Sequence, residues 1–263
     1  MIFETSENDF SNLTQCTIPY SSPILLFSVS DSVPSFVYEN HTVHKVTAHI
    51  SGQTFSPVYM ENPGNYKIIV VLFQTIGAYQ LFRIPQKVYL NQFMDLNQML
   101  GENCRFMSEK LFQKRTDNHG IINEIERFLL SYAKNVKIEK TYLDLAISMI
   151  KAKDGNIKIQ NLCSCFNVNP RTIRRDFEER VGISPKEFSR IYRLTQLHKY
   201  LMFGRNLNMH DLVYHFGYHD QSHLIHDFKS YAHYAPTALQ NNVVLNHLLK
   251  ADNYYEKFDL VLS

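Results

Sequence analysis

No apolar run in this chain is long enough to cross a bilayer. The longest, such as "IIVVLF" from Ile68 to Phe73, fall far short of the ~20 residues that a helical span needs. The opening segment "MIFETSENDFSN" lacks a basic patch, an apolar stretch and a small-residue cleavage site, so no secretory signal is expected there. Cysteine is scarce. The four, Cys16, Cys104, Cys163 and Cys165, have neither disulfide nor zinc spacing and are expected to be small buried apolar residues of a reducing compartment. Cys163 and Cys165 form a C-x-C within one helix, where side chains point apart. These absences lead to the expectation of a cytoplasmic protein with no membrane partner. A dominant charge of one sign is missing too, since the net charge is only +2. Its distribution says more. Residues 1–140 carry 12 Lys and Arg against 13 Asp and Glu, whereas residues 141–240 carry 13 against 9. A neutral half beside a mildly basic one is a weak footprint of nucleic acid.

At 263 residues, 44% hydrophobic and 20% charged, the chain has the composition of a globular protein with room for two domains. Its two halves follow different patterns. The stretches "SPILLFSVS", "SFVYENHTVHKVTAHI" and "KIIVVLFQTIGAYQLF" are rich in Val, Ile, Phe, Tyr and Thr and read as strands. Pro19, Pro23, Pro34, Pro57, Pro63 and Pro85 argue against long helices there. An antiparallel sheet folded on itself, a small sandwich or barrel, is expected. The pattern changes near Asn91. "DLNQMLG" predicts a short helix ending at Gly101, and Phe106, Met107, Leu111 and Phe112 have helical spacing. Ile121, Ile122, Ile125, Phe128 and Leu129 share one helical face, which suits a core stripe or a dimer seam. From Tyr142 onward the pattern is helical.

The helical half repeats itself. Leu162 and Phe166 match Leu212 and Phe216 at an offset of fifty, and Ile173, Phe177 and Pro185 match Leu224, Phe228 and Pro236 at fifty-one. Each copy reads as a short helix, a tight turn at Asn167 or Gly217, and a second helix. Asn and Gly tolerate the left-handed backbone such a turn needs. Asn169 with Pro170, and Asp220 in the other copy, are the residues expected to open the second helices. This is a helix-turn-helix written twice.

The second helix of each copy, about 170–180 and 220–231, has a buried and a free face. With Ile173 and Phe177 inward, Arg171, Thr172, Arg174 and Arg175 are left largely outward. Arginines there suit major-groove contact, since a guanidinium can bond guanine O6 and N7 together while others hold phosphates. The alternative is a solvated basic face paired to Asp176, Glu178 or Glu179. With Leu224 and Phe228 inward, Gln221, Ser222, His223, Ile225 and His226 remain. Gln can bond adenine bidentately and Ile can touch a thymine methyl. The second reader has fewer permanent charges and is expected to contribute less affinity.

Between the copies, Ser184 caps, Pro185 fits the first turn, Glu187 takes the third position, and Gly204 ends a predicted helix. Phe188, Ile191, Tyr192, Leu194, Leu197, Leu201 and Met202 form its apolar stripe. From Pro185 to Phe203 it would span roughly 28 Å at ~1.5 Å per residue. One DNA turn advances ~34 Å, so this helix could hold two readers in successive major grooves. The scaffold is repeated because two grooves are entered, and the polar residues differ because the grooves carry different bases.

These residues resemble the DNA-binding domain of AraC/XylS-type transcription regulators. The matching stretches are "LCSCFNVNPRTIRRDF" (Leu162 to Phe177), "VGISPKEF" (Val181 to Phe188), "YRLTQLHKYL" (Tyr192 to Leu201) and "GYHDQSHLIHDFK" (Gly217 to Lys229), within roughly 140–240. The resemblance implies two helix-turn-helix motifs joined by one long helix. It also implies that Arg171, Arg174, Arg175, Gln221, Ser222, Ile225 and His226 face double-stranded DNA. His226 stands where members usually have an Arg. His233-Tyr234-Ala235-Pro236 replaces the usual Gly-x-Ser-Pro, and Cys163 and Val213 replace a small Ala. The stretch from Ile69 to Gly101 is similar to the sensor half of such regulators, which implies a cupin-like jelly roll that binds a small-molecule effector or mediates homodimerisation.

The expected class is thus α+β: a β-rich cupin-like domain with short helices at its end (1–115), a linker helix (116–140), a double helix-turn-helix domain (141–240) and a C-terminal tail (241–263). Three rival readings remain. Six of the 12 histidines lie between His210 and His233, but the pairs four apart, His215 with His219 and His219 with His223, straddle the Gly217 turn or the next helix start, and no H-E-x-x-H accompanies them. His41, His44 and His49 could suggest a metal-binding barrel, yet a strand puts His41 and His44 on opposite faces. An architectural or protein-binding module on the same fold is the third. Neither catalysis, a metal nor a cofactor is expected.

Overall fold

Alternation of side chains along a strand lets one sheet serve two cores, and the N-terminal half is built that way. The computed structural model describes residues 2–5, 15–17, 20–38, 41–43, 47–61, 65–134, 136–137, 140–203 and 208–240. Its strands are β1 (Ile2–Thr5), β2 (Gln15–Thr17), β3 (Ile24–Ser28), β4 (Ser35–Tyr38), β5 (His41–Val43), β6 (Ala48–Ser51), β7 (Val58–Glu61), β8 (Tyr66–Leu72) and β9 (Phe93–Asp95). They form a five-stranded sheet in the order β1-β8-β3-β6-β9 and a four-stranded sheet in the order β2-β7-β4-β5, with every pairing antiparallel. Ile24, Leu26, Ile68 and Val70 of the larger sheet pack with Phe36, Val58 and Met60 of the smaller. Their neighbours Leu25, Phe27, Ile50 and Ile69 face the other way, onto helices. A sheet covered on both faces needs continuous apolar strands, and that explains "ILLFS" in β3.

The covering helices are α2 (Leu96–Leu100), α3 (Glu102–Gln113) and α4 (Asn118–Ala133). Asp95 caps α2 by accepting from Asn97 N at 2.7 Å, and Gly101 closes it. Leu96, Met107, Leu111, Ile121, Ile125 and Phe128 join the sheet's outer core. The helix expected as a linker is therefore packed on the β-rich half. Ile122 departs from the expected stripe and is exposed, as are Phe106 and Leu130. Ile121 and Ile125, four apart, share one face, and Ile122 is turned ~100° from Ile121.

Two further expectations are corrected. "GAYQLF" is not strand: α1 runs Gly77–Phe82, because Ala78 and Phe82, four apart, turn one face to the same core. A 3-10 turn follows at Gln86–Tyr89. Cys165 is exposed rather than buried, since it lies on the other face of its helix from Cys163. Among the described residues no helix is long and apolar enough to cross a membrane. Residues 241–263, Gly204 and His44 lie outside the described residues.

The helical half comprises α5 (Tyr142–Ala152), α6 (Ile159–Phe166), α7 (Pro170–Arg180), α8 (Pro185–Phe203), α9 (Met209–His215), α10 (Gln221–Ala232) and α11 (Pro236–Gln240). Their shared core includes Leu162, Ile173, Phe177, Phe188, Ile191, Leu194, Leu197, Leu212, Phe216, Leu224 and Phe228. Ile76, between β8 and α1, is buried in that same core, and Phe55 and Leu90 pack against it. The halves thus share a packed seam. Within it Gln53 Nε2 donates to Gln86 Oε1 at 3.3 Å and Gln86 Nε2 donates to Thr75 O at 2.8 Å.

Candidate nucleic-acid interface

The two helix-turn-helix copies superimpose in their bonding as well as in their apolar residues. Asn167 takes the left-handed backbone at φ 51°, and Gly217 does the same at φ 66°. Val168 N donates to Cys163 O at 3.0 Å, and Tyr218 N donates to Val213 O at 2.9 Å, the equivalent bond fifty residues on. The polar N-terminal residues act as read from sequence. Asn169 Oδ1 accepts from Thr172 N at 2.8 Å, and Asp220 Oδ1 accepts from His223 N at 2.7 Å. Each cap satisfies an amide that the first helical turn leaves without an intrahelical partner. Pro170 adds a preset φ at the first position of α7.

Burial then separates the two faces of each second helix. Ile173 and Phe177 in α7, and Leu224 and Phe228 in α10, are wholly enclosed. Arg171, Arg174 and Arg175 are exposed and Thr172 is half-buried. In α10, Gln221, Ser222, His223 and His226 are exposed and Ile225 is half-buried. All eight sequence-derived positions thus lie in the first one or two turns of the two helices.

The arginines also meet the carboxylates expected as alternatives. Arg174 Nε donates to Glu178 Oε1 at 2.7 Å, with 69% of the arginine side chain exposed. Arg175 Nη2 lies 3.3 Å from Asp176 Oδ1, with 72% of its side chain exposed. Pairs this open to water are weak and exchange readily for other anions. Arg171 makes no ion pair among the described residues.

The connecting helix starts as predicted. Ser184 N donates to Glu187 Oε2 at 3.0 Å and Glu187 N donates to Ser184 Oγ at 3.2 Å, a reciprocal capping box. Gly155, at φ 75°, lies so close to the Ser189 carbonyl that a Cβ there would collide with it, so glycine permits the turn before α6 to approach α8. Between the start of α7 and the first half of α8 opens a cleft of about 680 Å³ whose lining includes Arg174, Lys186, Arg190 and Arg193.

The β-rich half meets the far end of α7. Tyr79 Oη donates to Glu179 Oε1 at 2.8 Å, and the Arg180 guanidinium sits 5.7 Å from the Tyr79 ring centre. The exposed Arg171, Arg174 and Arg175 lie toward the opposite end of α7 from Glu179 and Arg180. Sequence reasoning missed the seam, Lys186, Arg190, Arg193 and Asp227, and it read Asp176 only as a partner for the arginines of its own helix, not as the counterpart of Asp227. The aspartates did carry a signal, since they match at the same offset of fifty-one as the phenylalanines beside them. Among the described residues no group of three His, Cys, Asp or Glu could hold a metal ion.

A family model described as a helix-turn-helix domain matches residues 162–242. No curated protein matches the chain. Solved structures of ToxT from Vibrio cholerae are similar to it. The O395 protein bound to (E)-4-(8-methylnaphthalen-1-yl)but-3-enoic acid gives a TM-score of 0.50 at 10% identity, covering 94% of this chain and 97% of that one. Unsaturated fatty acid bound wild-type ToxT from strain SCE256 gives 0.46 at 12% identity, covering 90% and 92%. Another ToxT structure gives 0.48 at 11% identity, covering 90% and 96%. At these identities the likeness concerns the fold. Residues 162–242 thus match a helix-turn-helix domain, and the described residues among them carry that motif twice, behind a β-rich half.

Proposed function

We propose that the chain is a sequence-specific, DNA-binding transcription regulator acting in the cytoplasm, with α7 and α10 entering successive major grooves of one duplex. The observation that carries this reading is the pairing of two capped, open-faced helices on one braced rod. Arg171, Thr172, Arg174 and Arg175 form the first reader, and Gln221, Ser222, Ile225 and His226 the second. Lys186 at the start of α8 is suited to a phosphate. Selection of bound DNA from a random pool tests the reading. The expected product is a motif of two unlike parts whose centres lie about 10 base pairs apart. A pool that returns no motif, with affinity governed by salt alone, would refute it.

The β-rich half is proposed to sense a small molecule or to pair two copies. Polar groups enclosed between the sheets favour sensing. His49 packs edge-on against the stacked rings of Phe36 and Phe93 with neither ring nitrogen hydrogen-bonded among the described residues, and Tyr20 Oη donates to Ser51 Oγ at 3.0 Å. The ToxT ligand above makes an apolar carboxylic acid the first class to test. Exposed Phe106, Ile122 and Leu130 on α3 and α4 favour pairing. The rival is architectural or protein binding without base reading, and its support is the engagement of Arg174 and Arg175 by their own helix.

A further inference from the structure

The two readers are attached to the domain differently. Asp227 lies in α10 immediately before the enclosed Phe228 and is itself 8% exposed. Its Oδ1 accepts from Arg190 Nε at 2.7 Å and its Oδ2 accepts from Tyr218 Oη at 2.8 Å. Arg193 Nη2 stands 3.6 Å from the same Oδ2, and its guanidinium lies 4.7 Å from the Tyr218 ring centre. Arg190 Nη2 also donates to Ser230 Oγ at 2.6 Å, while Ser230 Oγ donates to Asp227 O at 2.8 Å. One carboxylate thereby joins the connecting helix α8, the turn of the second copy and the second recognition helix.

In the first copy the equivalent carboxylate is Asp176. It accepts from Tyr142 Oη at 2.5 Å, a residue of α5, and its arginine partner, Arg175, is its own neighbour in α7. The tyrosine brace is repeated, but the double arginine tie to α8 belongs to the second copy among the described residues.

Leu224, Phe228 and Tyr231 hold α10 on the core, but apolar burial has no preferred direction. Charge-assisted bonds to a carboxylate do. Gln221 lies six residues before Asp227, roughly 9 Å along the helix at ~1.5 Å per residue. A tilt of about 10° about the carboxylate would shift it by about 1.5 Å, enough to break a hydrogen bond to a base edge.

We propose that Asp227 is a positioning residue for DNA reading: held by Arg190, Arg193 and Tyr218, it fixes the angle between the second recognition helix and α8, and so the spacing between the two halves of the site. The proposal rests on the function proposed above.

The test uses the full chain and DNA selected by the wild type from a random pool. Affinity is then measured for that duplex, for duplexes altered base by base, and for duplexes with one base pair inserted between the two halves. Asp227→Asn is expected to lose at least tenfold of the preference at positions of one half while keeping the other. It is also expected to tolerate the insertion severalfold better than the wild type. A bracing role in stability alone would weaken both halves alike and leave the spacing requirement unchanged, and that result would overturn the proposal. Arg190→Gln guards against a misfolded Asp227→Asn protein, because it alters a side chain that is 41% exposed and leaves Tyr218 on the carboxylate. It is expected to produce the same one-sided loss, about threefold, and an unchanged profile would again overturn the proposal. If the wild type itself selects no motif, the DNA reading fails and this proposal fails with it. A two-part wild-type motif read identically by both variants overturns only the positioning role.

Discussion

The hydroxyl of Tyr79, in the β-rich half, donates to Glu179 of α7 at 2.8 Å across a hundred residues of sequence. This contact ties the far end of the first reader to the half proposed to sense a ligand. It leaves the N-terminal end of α7, with Arg171, Arg174 and Arg175, exposed. Tyr79→Phe is expected to leave the fold intact and to cost about 0.5–1.5 kcal/mol of stability, measured by chemical denaturation.

Gly182 gives a sharper test of the same seam. Its φ is 95°, and a Cβ would come within 3.1 Å of the Gln86 carbonyl carbon and 3.2 Å of Gln53 Oε1. Gly182→Ala is expected to destabilise the chain by about 1–3 kcal/mol, through left-handed strain and through separation of the halves. A denaturation midpoint equal to the wild type's would show that the seam yields without cost.

Two enclosed histidines make stability depend on pH. Burial pushes His198 down to about 3, and it pushes His49 down to about 4 against the opposing pull of Asp95. His198 Nε2 is 2.6 Å from Tyr234 Oη, and its ring stacks on Phe228. Both imidazoles are neutral in the fold, whereas in the unfolded chain they titrate near 6.5. Below that value the unfolded state binds protons that the folded state does not, so stability falls as pH drops from ~6.5 toward 4. Each histidine contributes a slope of up to about 1.4 kcal/mol per pH unit. Denaturation curves of His198→Gln between pH 7 and 4.5 are expected to be flatter than the wild type's.

In the DNA-binding role proposed for Arg174, its partner Glu178 competes with the nucleic acid for the guanidinium. Glu178→Gln is expected to raise DNA affinity about two- to fivefold at low salt, with the gain shrinking as salt rises. An unchanged affinity would remove Arg174 from the contacts to DNA.

Legibility followed sequence distance. Caps such as Asn169 and Asp220, and the turns at Asn167 and Gly217, depend on residues within one turn, and repetition at a fixed offset exposed the apolar skeleton. The apolar runs of β3 and β8 were readable as strand, but their double burial required knowing that α3 and α4 cover one face. "GAYQLF" misled because its aromatics, next to a strand-like run, suit a strand until Ala78 and Phe82 find a shared core. Tyr79 with Glu179 pairs residues a hundred apart, and no local pattern marks either. Asp227 could have been noticed beside Asp176, yet its importance depends on arginines 37 and 34 residues upstream that only the packing brings close.

Cleavage protection along a selected duplex tests the central claim most directly. Two protected major-groove segments are expected on one face, centred about 34 Å apart, with Arg175→Ala erasing preference by about 1–3 kcal/mol in one segment and Gln221→Ala in the other. A single continuous footprint, or equal losses in both segments from either variant, would contradict two readers acting in neighbouring grooves.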